Sequence, residues 1–238
     1  MDIENMHYSF KRKLNKLDSN GNRNLLVPEI DWTLNEAASL FVKMIAMPRT
    51  REKVLGFESD QRSIEDIRTL VKNGEDPANQ LDVASNLVTL PDDYWYFIRA
   101  RVQMTKGNCA NRIGVFYPRQ HDDMFEESSN VRSSFEWRAV NGVFTESGIR
   151  LFDDGTFTNN KLNLSYIRKM AYMHYASGFR GGPGYSLPDG TALAGQQDCE
   201  LPDHVHDEIV DLAVLIASGE LDDRGYALRR ERFNMNMA

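Results

Sequence analysis

The apolar residues of this chain change period twice, from helical spacing to strict alternation and back, and a chain with that pattern cannot be all helix or all strand. Between Tyr94 and Met104 the even positions Tyr94, Tyr96, Ile98, Ala100, Val102 and Met104 are mostly apolar, while Arg99, Arg101 and Gln103 fall between them. That alternation predicts a strand with one buried face, starting after Pro91-Asp92-Asp93. Further strands are expected at 112–117, 135–141, 148–153 and 161–172, separated by Asn, Gly and Asp-Gly turns such as Asp154-Gly155. The order predicts an antiparallel meander, a small β domain spanning 86–175. Between its second and third strands, 119–128 reads as a short helix or surface turn.

The flanks carry the helical period. Ile3, Met6, Phe10, Leu14 and Leu17 lie near helical spacing among Lys11, Arg12, Lys13 and Lys16, which predicts an amphipathic helix in an N-terminal docking arm over 1–25. Asp18-Ser19-Asn20-Gly21-Asn22 ends it as a turn. After Pro28, Thr33 and Glu36 have capping-box spacing ahead of the stripe Leu34, Ala37, Ala38, Phe41, Met44 and Ile45, and Pro48 stops or bends that helix. A third helix from near Glu58 presents Ile64, Ile67, Leu70 and Val71 and leaves through Lys72-Asn73-Gly74, so two helices form a hairpin. The last helix begins at Pro202, with Asp203, Asp207 and Glu208 at its positive end, a stripe of Val205, Ile209, Leu212 and Ile216, and Gly219 as its stop.

Residues 176–197 hold Gly178, Gly181, Gly182, Pro183, Gly184, Pro188, Gly190 and Gly195, a density of breakers that predicts a long docking loop ordered by a neighbouring subunit. The expected organisation is therefore α+β. A helical hairpin and C-terminal helix (26–80 and 198–220) pack with the small antiparallel sheet, and an N-terminal arm, the Gly-rich loop and a basic tail over 221–238 extend from them.

With 41% hydrophobic residues the chain can bury a sizeable core, and its longest apolar runs fall far short of the ~20 residues needed to cross a bilayer. Met-Asp-Ile-Glu-Asn-Met-His at the start lacks the basic and apolar regions of a signal peptide, so a soluble, cytosolic product is expected. Cys109 and Cys199 stand apart and outside any CxxC pair, which argues against a metal knot or disulfide framework. A net charge of -7 argues against a general nucleic-acid binder, although an acidic ring could pass a duplex through its lumen without holding it.

His204-Val205-His206-Asp207-Glu208 supplies metal-ligand residue types, but on a helix i and i+2 diverge by about 200°, so the two imidazoles cannot share an ion. Only His204 and Glu208 have the i, i+4 relation, and they carry the alternative reading, a monomeric metal-dependent hydrolase. Gly181-Gly182-Pro183-Gly184 lacks the following Gly-Lys-Ser/Thr of a phosphate cradle, and no GxSxG or GxGxxG occurs. Asp92-Asp93, Asp122-Asp123, Asp153-Asp154 and Asp222-Asp223 fall at turns or helix starts, where Asp bonds to backbone. No catalytic, metal or cofactor residue is assigned. Tyr94-Trp95-Tyr96-Phe97 beside Arg99 and Arg101 could stack nucleic-acid bases, but aromatic residues with Arg are also interface hot spots, and that reading is preferred. The same composition marks Phe179, Arg180 and Tyr185 in the loop, and Arg229, Arg230, Arg232 and Phe233 in the tail, as expected interface residues.

Four landmarks in order carry a resemblance. They are 31–71, with Asn35-Glu36-Ala37, Phe41-Val42 and Gly56-Phe57-Glu58-Ser59-Asp60-Gln61-Arg62-Ser63-Ile64-Glu65-Asp66-Ile67-Arg68-Thr69-Leu70-Val71; Leu90-Pro91-Asp92-Asp93-Tyr94; Leu164-Ser165-Tyr166-Ile167-Arg168-Lys169; and Cys199-Glu200-Leu201-Pro202-Asp203-His204-Val205-His206-Asp207-Glu208-Ile209-Val210-Asp211-Leu212-Ala213-Val214. Together they resemble the virion ring proteins of crAss-like and related short-tailed phages. The stretch 176–197 is longer than that family's pattern. The resemblance implies a head-to-tail adaptor made in the host cytoplasm and assembled into the virion. It implies a homo-oligomeric, dodecameric ring contacting the portal and the tail ring proteins, around a channel for double-stranded DNA, with no membrane, cofactor or catalysis.

Overall fold

In the computed structural model residues 1–15, 25–46, 61–119, 132–180, 182–220 and 230–231 are described. The fold is mixed α+β, and the chain divides into two compact units, Met1–Thr69 with Met170–Ala238, and Leu70–Lys169.

The first unit holds α1 (Ile3–Asn15), α2 (Val27–Ala46), α3 (Gln61–Ile67) and α4 (His206–Glu220). Ile3, Met6, Phe10 and Leu14 on α1 are all buried, and α1 packs on α4, with Lys13 Nζ 2.8 Å from Asp211 Oδ1. The expected docking arm is thus, over its described residues, part of the core. Its apolar stripe needs a surface to bury against, and α4 of the same chain supplies it.

α2 begins six residues before the expected cap at Thr33. Pro28 sits in its first turn, where a missing N–H costs nothing, and the Glu29 carboxylate reaches back to the Leu26 N–H at 2.7 Å. Thr33 lies inside the helix and donates its hydroxyl to the Glu29 carbonyl at 2.8 Å. Ile30, Leu34, Ala37, Ala38, Phe41 and Val42 are buried, and α2 packs against α4. The expected turn at 18–22, the stop at Pro48 and the start near Glu58 lie outside the described residues. The expected exit at Lys72-Asn73-Gly74 is instead preceded by a short strand, β1 (Val71–Lys72).

The second unit continues with β2 (Gln80–Asp82), β3 (Leu87–Val88), β4 (Tyr94–Thr105), β5 (Arg112–Arg119), β6 (Ala139–Thr145), β7 (Gly148–Leu151) and β8 (Thr158–Arg168). They form one sheet in the order β1-β8-β4-β5-β6-β7-β3, with β2 also paired to β8. This corrects the antiparallel meander in two ways: β8 inserts beside β4, and β5 and β6 run parallel, from Val115↔Ala139 to Arg119↔Val143. A parallel neighbour needs a crossover of a dozen or more residues, and the sequence between Arg119 and Ala139 is longer than that.

The expected even-position face of β4 also changes. Its pairing to β8 shifts register between Tyr94 and Tyr96 and between Phe97 and Arg99, so Trp95 and Ile98 are bulged. Each bulge reverses the alternation. Tyr94, Phe97, Ala100, Val102 and Met104 therefore address one core, with Phe116, Phe135, Val140, Ile149, Leu151, Phe157, Leu162 and Leu164. Between β6 and β7 the chain turns through Gly148 at φ +140°, where an added Cβ would lie 2.0 Å from the Val88 carbonyl oxygen, so only glycine lets β3 approach.

The Tyr166 hydroxyl donates to Asp93 Oδ1 at 2.9 Å. Burial, then the Asp93 carboxylate, pushes its pKa up from 10.0 to about 12. The unfolded tyrosine therefore loses its proton first, and stability is expected to fall as pH rises from 10.0 through about 12. Denaturant titrations across that window should show a shallower fall for Tyr166→Phe than for the unsubstituted chain; equal slopes would remove Tyr166 as the cause.

Candidate binding site

In the first unit the segment expected as a long docking loop ordered by a neighbouring subunit is folded on itself. Ala176–Gly178 forms a 3-10 turn, and β9 (Tyr185–Ser186) pairs antiparallel with β10 (Ala192–Leu193). The Ser177 N–H donates to the Gly195 carbonyl at 2.7 Å, and His174 bridges Gln197. Gly184, at φ +79°, lets the Leu193 carbonyl come where a Cβ would sit 2.1 Å away. The glycines that argued against regular structure thus permit a tight hairpin, held by contacts within the chain.

This hairpin places Tyr185 over α2. Its hydroxyl donates to Asp31 Oδ2 at 2.7 Å. Asp31 is fully buried, accepts the Tyr175 N–H on both oxygens at 3.1 Å, and lies 2.6 Å from His7 Nε2. A carboxylate only accepts, so the imidazole carries its proton on Nε2. Burial first, then the Asp31 carboxylate, raises the Tyr185 phenol far above its ordinary pKa. The buried Tyr172 hydroxyl interacts with that phenol without the alignment of a full hydrogen bond, and its own pKa is raised, mainly by burial. One residue turn further, Asn35 ties α2 to the backbone of Met173 by accepting its N–H at 2.9 Å and donating to its carbonyl at 2.7 Å.

In front of this network lies a cavity of ≈ 500 Å³. Trp32, Tyr172 and Tyr185 give it aromatic walls, and Pro28, Leu187 and Pro188 complete an apolar lining, with Glu29 as its acid. Trp32 is 57% exposed, so the pocket opens beside a large indole facing solvent. Such a lining suits an apolar or aromatic group, and the hydroxyls of Thr33 and Tyr185 are already committed to Glu29 and Asp31. The sequence signal for Tyr185 was its aromatic character. Asp31 gave none, because nothing in its neighbourhood shows that a hairpin over 150 residues later will close on it.

Three of the expected interface residues come together here. The Arg180 guanidinium lies over the Phe179 ring at 5.1 Å, and that ring meets Tyr185 edge-on at 5.8 Å between centroids. In the second unit Trp95 and Tyr96 stack at 5.0 Å, while Phe97 turns inward to Phe116 and Phe144. Tyr94 packs with Tyr166 at 5.7 Å. All four aromatics of that run are half-buried. Arg230 is exposed, and Arg229, Arg232 and Phe233 lie outside the described residues.

His204 and Glu208 take separate partners. His204 Nε2 is 2.8 Å from Asp66 Oδ1, and Glu208 accepts from Arg62 at 2.8 Å. Among the described residues no group of three or more His, Cys, Asp or Glu side chains is placed to hold a metal ion. Burial pushes the Cys199 thiol up to about 11, the direction opposite to that of an activated nucleophile. No helix among the described residues is long and apolar enough to cross a membrane. No family model matches the chain, and no curated protein matches it.

Proposed function

We propose that the chain is a structural subunit whose work is to bind other proteins, and that it forms a homo-oligomeric ring at the head-to-tail junction of a short-tailed phage, joining portal to tail around the DNA channel. The observation that carries the binding role is the exposure of large apolar side chains on both units: Tyr8 at 69% and Trp32 at 57% on the first, Trp137 at 86% and Ile113 at 52% on the second. Large exposed aromatic side chains are the residue types that anchor protein interfaces. The place in a phage rests on the ordered landmarks, whose described residues lie on α2, α3, the start of β4, the end of β8 and the chain entering α4.

Within such a ring the aromatic pocket beside Trp32 offers each neighbour an anchoring point for an apolar side chain. The test is negative-stain imaging of the purified chain alone and mixed with the portal protein. Rings that seat on the portal are expected; copies that stay single and ignore it would sink the reading.

A further inference from the structure

The second unit's sheet has two unlike faces. One is the core side of Ala100, Val102, Phe116, Val140 and Ile149. Partners in register project to the same side, so Arg101 shares the other face with Val115, and Arg150 with Leu87. Along β5 that outer face continues as Ile113 at 52%, Val115 at 47% and Tyr117 at 44% exposure, and it ends at Asn141, which pairs with Tyr117 and is buried against Ser133 and Arg119. Arg101 pairs only at the surface, with Glu75 at 2.9 Å where both side chains are about half exposed, and Arg150 lies 5.8 Å from the Phe152 ring. The tyrosine and arginines are hot-spot residue types, and Ile113 and Val115 present no ring on which a base could stack.

We infer that this outer face, centred on Val115, is the contact face for an acidic surface of a second copy of the chain. The occupant follows from charge. The chain carries -7 overall while this face carries Arg101 and Arg150, so apposing the face to itself would set arginine against arginine. The other unit offers the complement at the start of α4, where the Asp203 and Asp207 side chains are 86% and 70% exposed and Asp198 and Glu200 precede them. Lys13 and the Met1 amino group offset part of that charge. Unlike surfaces meeting copy to copy make a heterologous contact, which builds a ring where its rotation closes. The inference rests on the ring reading and names the face that such a ring would use.

The test is sedimentation velocity on the full chain over a range of concentrations, with thermal melting as the check on folding. Val115→Glu and the pair Arg101→Glu with Arg150→Glu change exposed side chains, so melting should hold while self-association weakens about tenfold or more. Adding Asp203→Lys and Asp207→Lys to the arginine-reversed chain should restore association, because the charges then match again with their roles exchanged. If the unsubstituted chain assembles and the face variants assemble equally well, the face is wrong and the ring reading stands. Variants that keep self-association but lose the portal or a single-stranded oligonucleotide would overturn the second copy as occupant. If the unsubstituted chain stays single even with portal present, the ring reading falls and takes the inference with it.

Discussion

Replacing Asp31 with alanine is expected to destabilise the first unit by about 3–5 kcal/mol, among the largest losses any single substitution in this chain should produce. The carboxylate is fully buried and receives four hydrogen bonds, from His7 Nε2, the Tyr185 hydroxyl and the Tyr175 N–H on both oxygens. Its removal strands those donors away from water, and each buried donor left alone costs about 1–3 kcal/mol. Those donors lie on α1, on the segment after β8 and on the 185–193 hairpin, so the loss also frees three parts of the chain from one another. Tyr185→Phe removes one bond from the same carboxylate and should cost about 1–2 kcal/mol. Urea denaturation of both variants measures the difference. A loss for Asp31→Ala no larger than that for Tyr185→Phe would mean that the carboxylate does not organise this unit.

Phe10→Ala should cost a similar amount, about 3–5 kcal/mol, the usual result of emptying a buried aromatic site. Phe10 is fully buried on α1, in line with Ile3, Met6 and Leu14. This substitution separates two descriptions of the N-terminal segment. A docking arm that orders only on a partner would leave the melting of the isolated chain unchanged, whereas a core helix lowers it. Lys13→Ala serves as the control, because its ion pairs with Asp211 and Asp207 are partly exposed and worth at most about 1 kcal/mol. If Phe10→Ala melts like Lys13→Ala, α1 is not part of the core.

The apolar spacing on α1 was legible as a helix, and its burial was not, because a periodic stripe states that a surface is needed without stating whose. α2 shows the same limit at its start. Thr33 and Glu36 have the spacing of a capping box, yet Glu29 accepts the Leu26 N–H and Pro28 brings no free amide of its own, so the helix already has a start before Thr33. In β4 alternation correctly announced a strand but placed Tyr96 and Ile98 on the wrong side, since one unpaired residue reverses every face that follows it. The parallel pairing of β5 and β6 left no local mark at all.

Of the candidate site, Tyr185 could be singled out by residue type, and the Arg180, Phe179 and Tyr185 cluster lies within one short stretch of chain. The pocket they adjoin could not be read, because its walls come from α2, from Tyr172, from the hairpin and from Ala217 on α4. Glycine density was misleading there: positive φ at Gly184 and Gly190 permits a hairpin as readily as it permits an open loop.

The α+β class, the helical flanks and the strand at 94–105 follow from side-chain period and turn chemistry, which act over a few residues. Distant contacts set the burial of Asp31 under Tyr185, the bulges that turn Phe97 inward, and the half-exposed state of Ile113, Val115 and Tyr117. Those outcomes depend on which distant segments meet, and the free energy that selects among such meetings is summed over the whole chain rather than written at any one position.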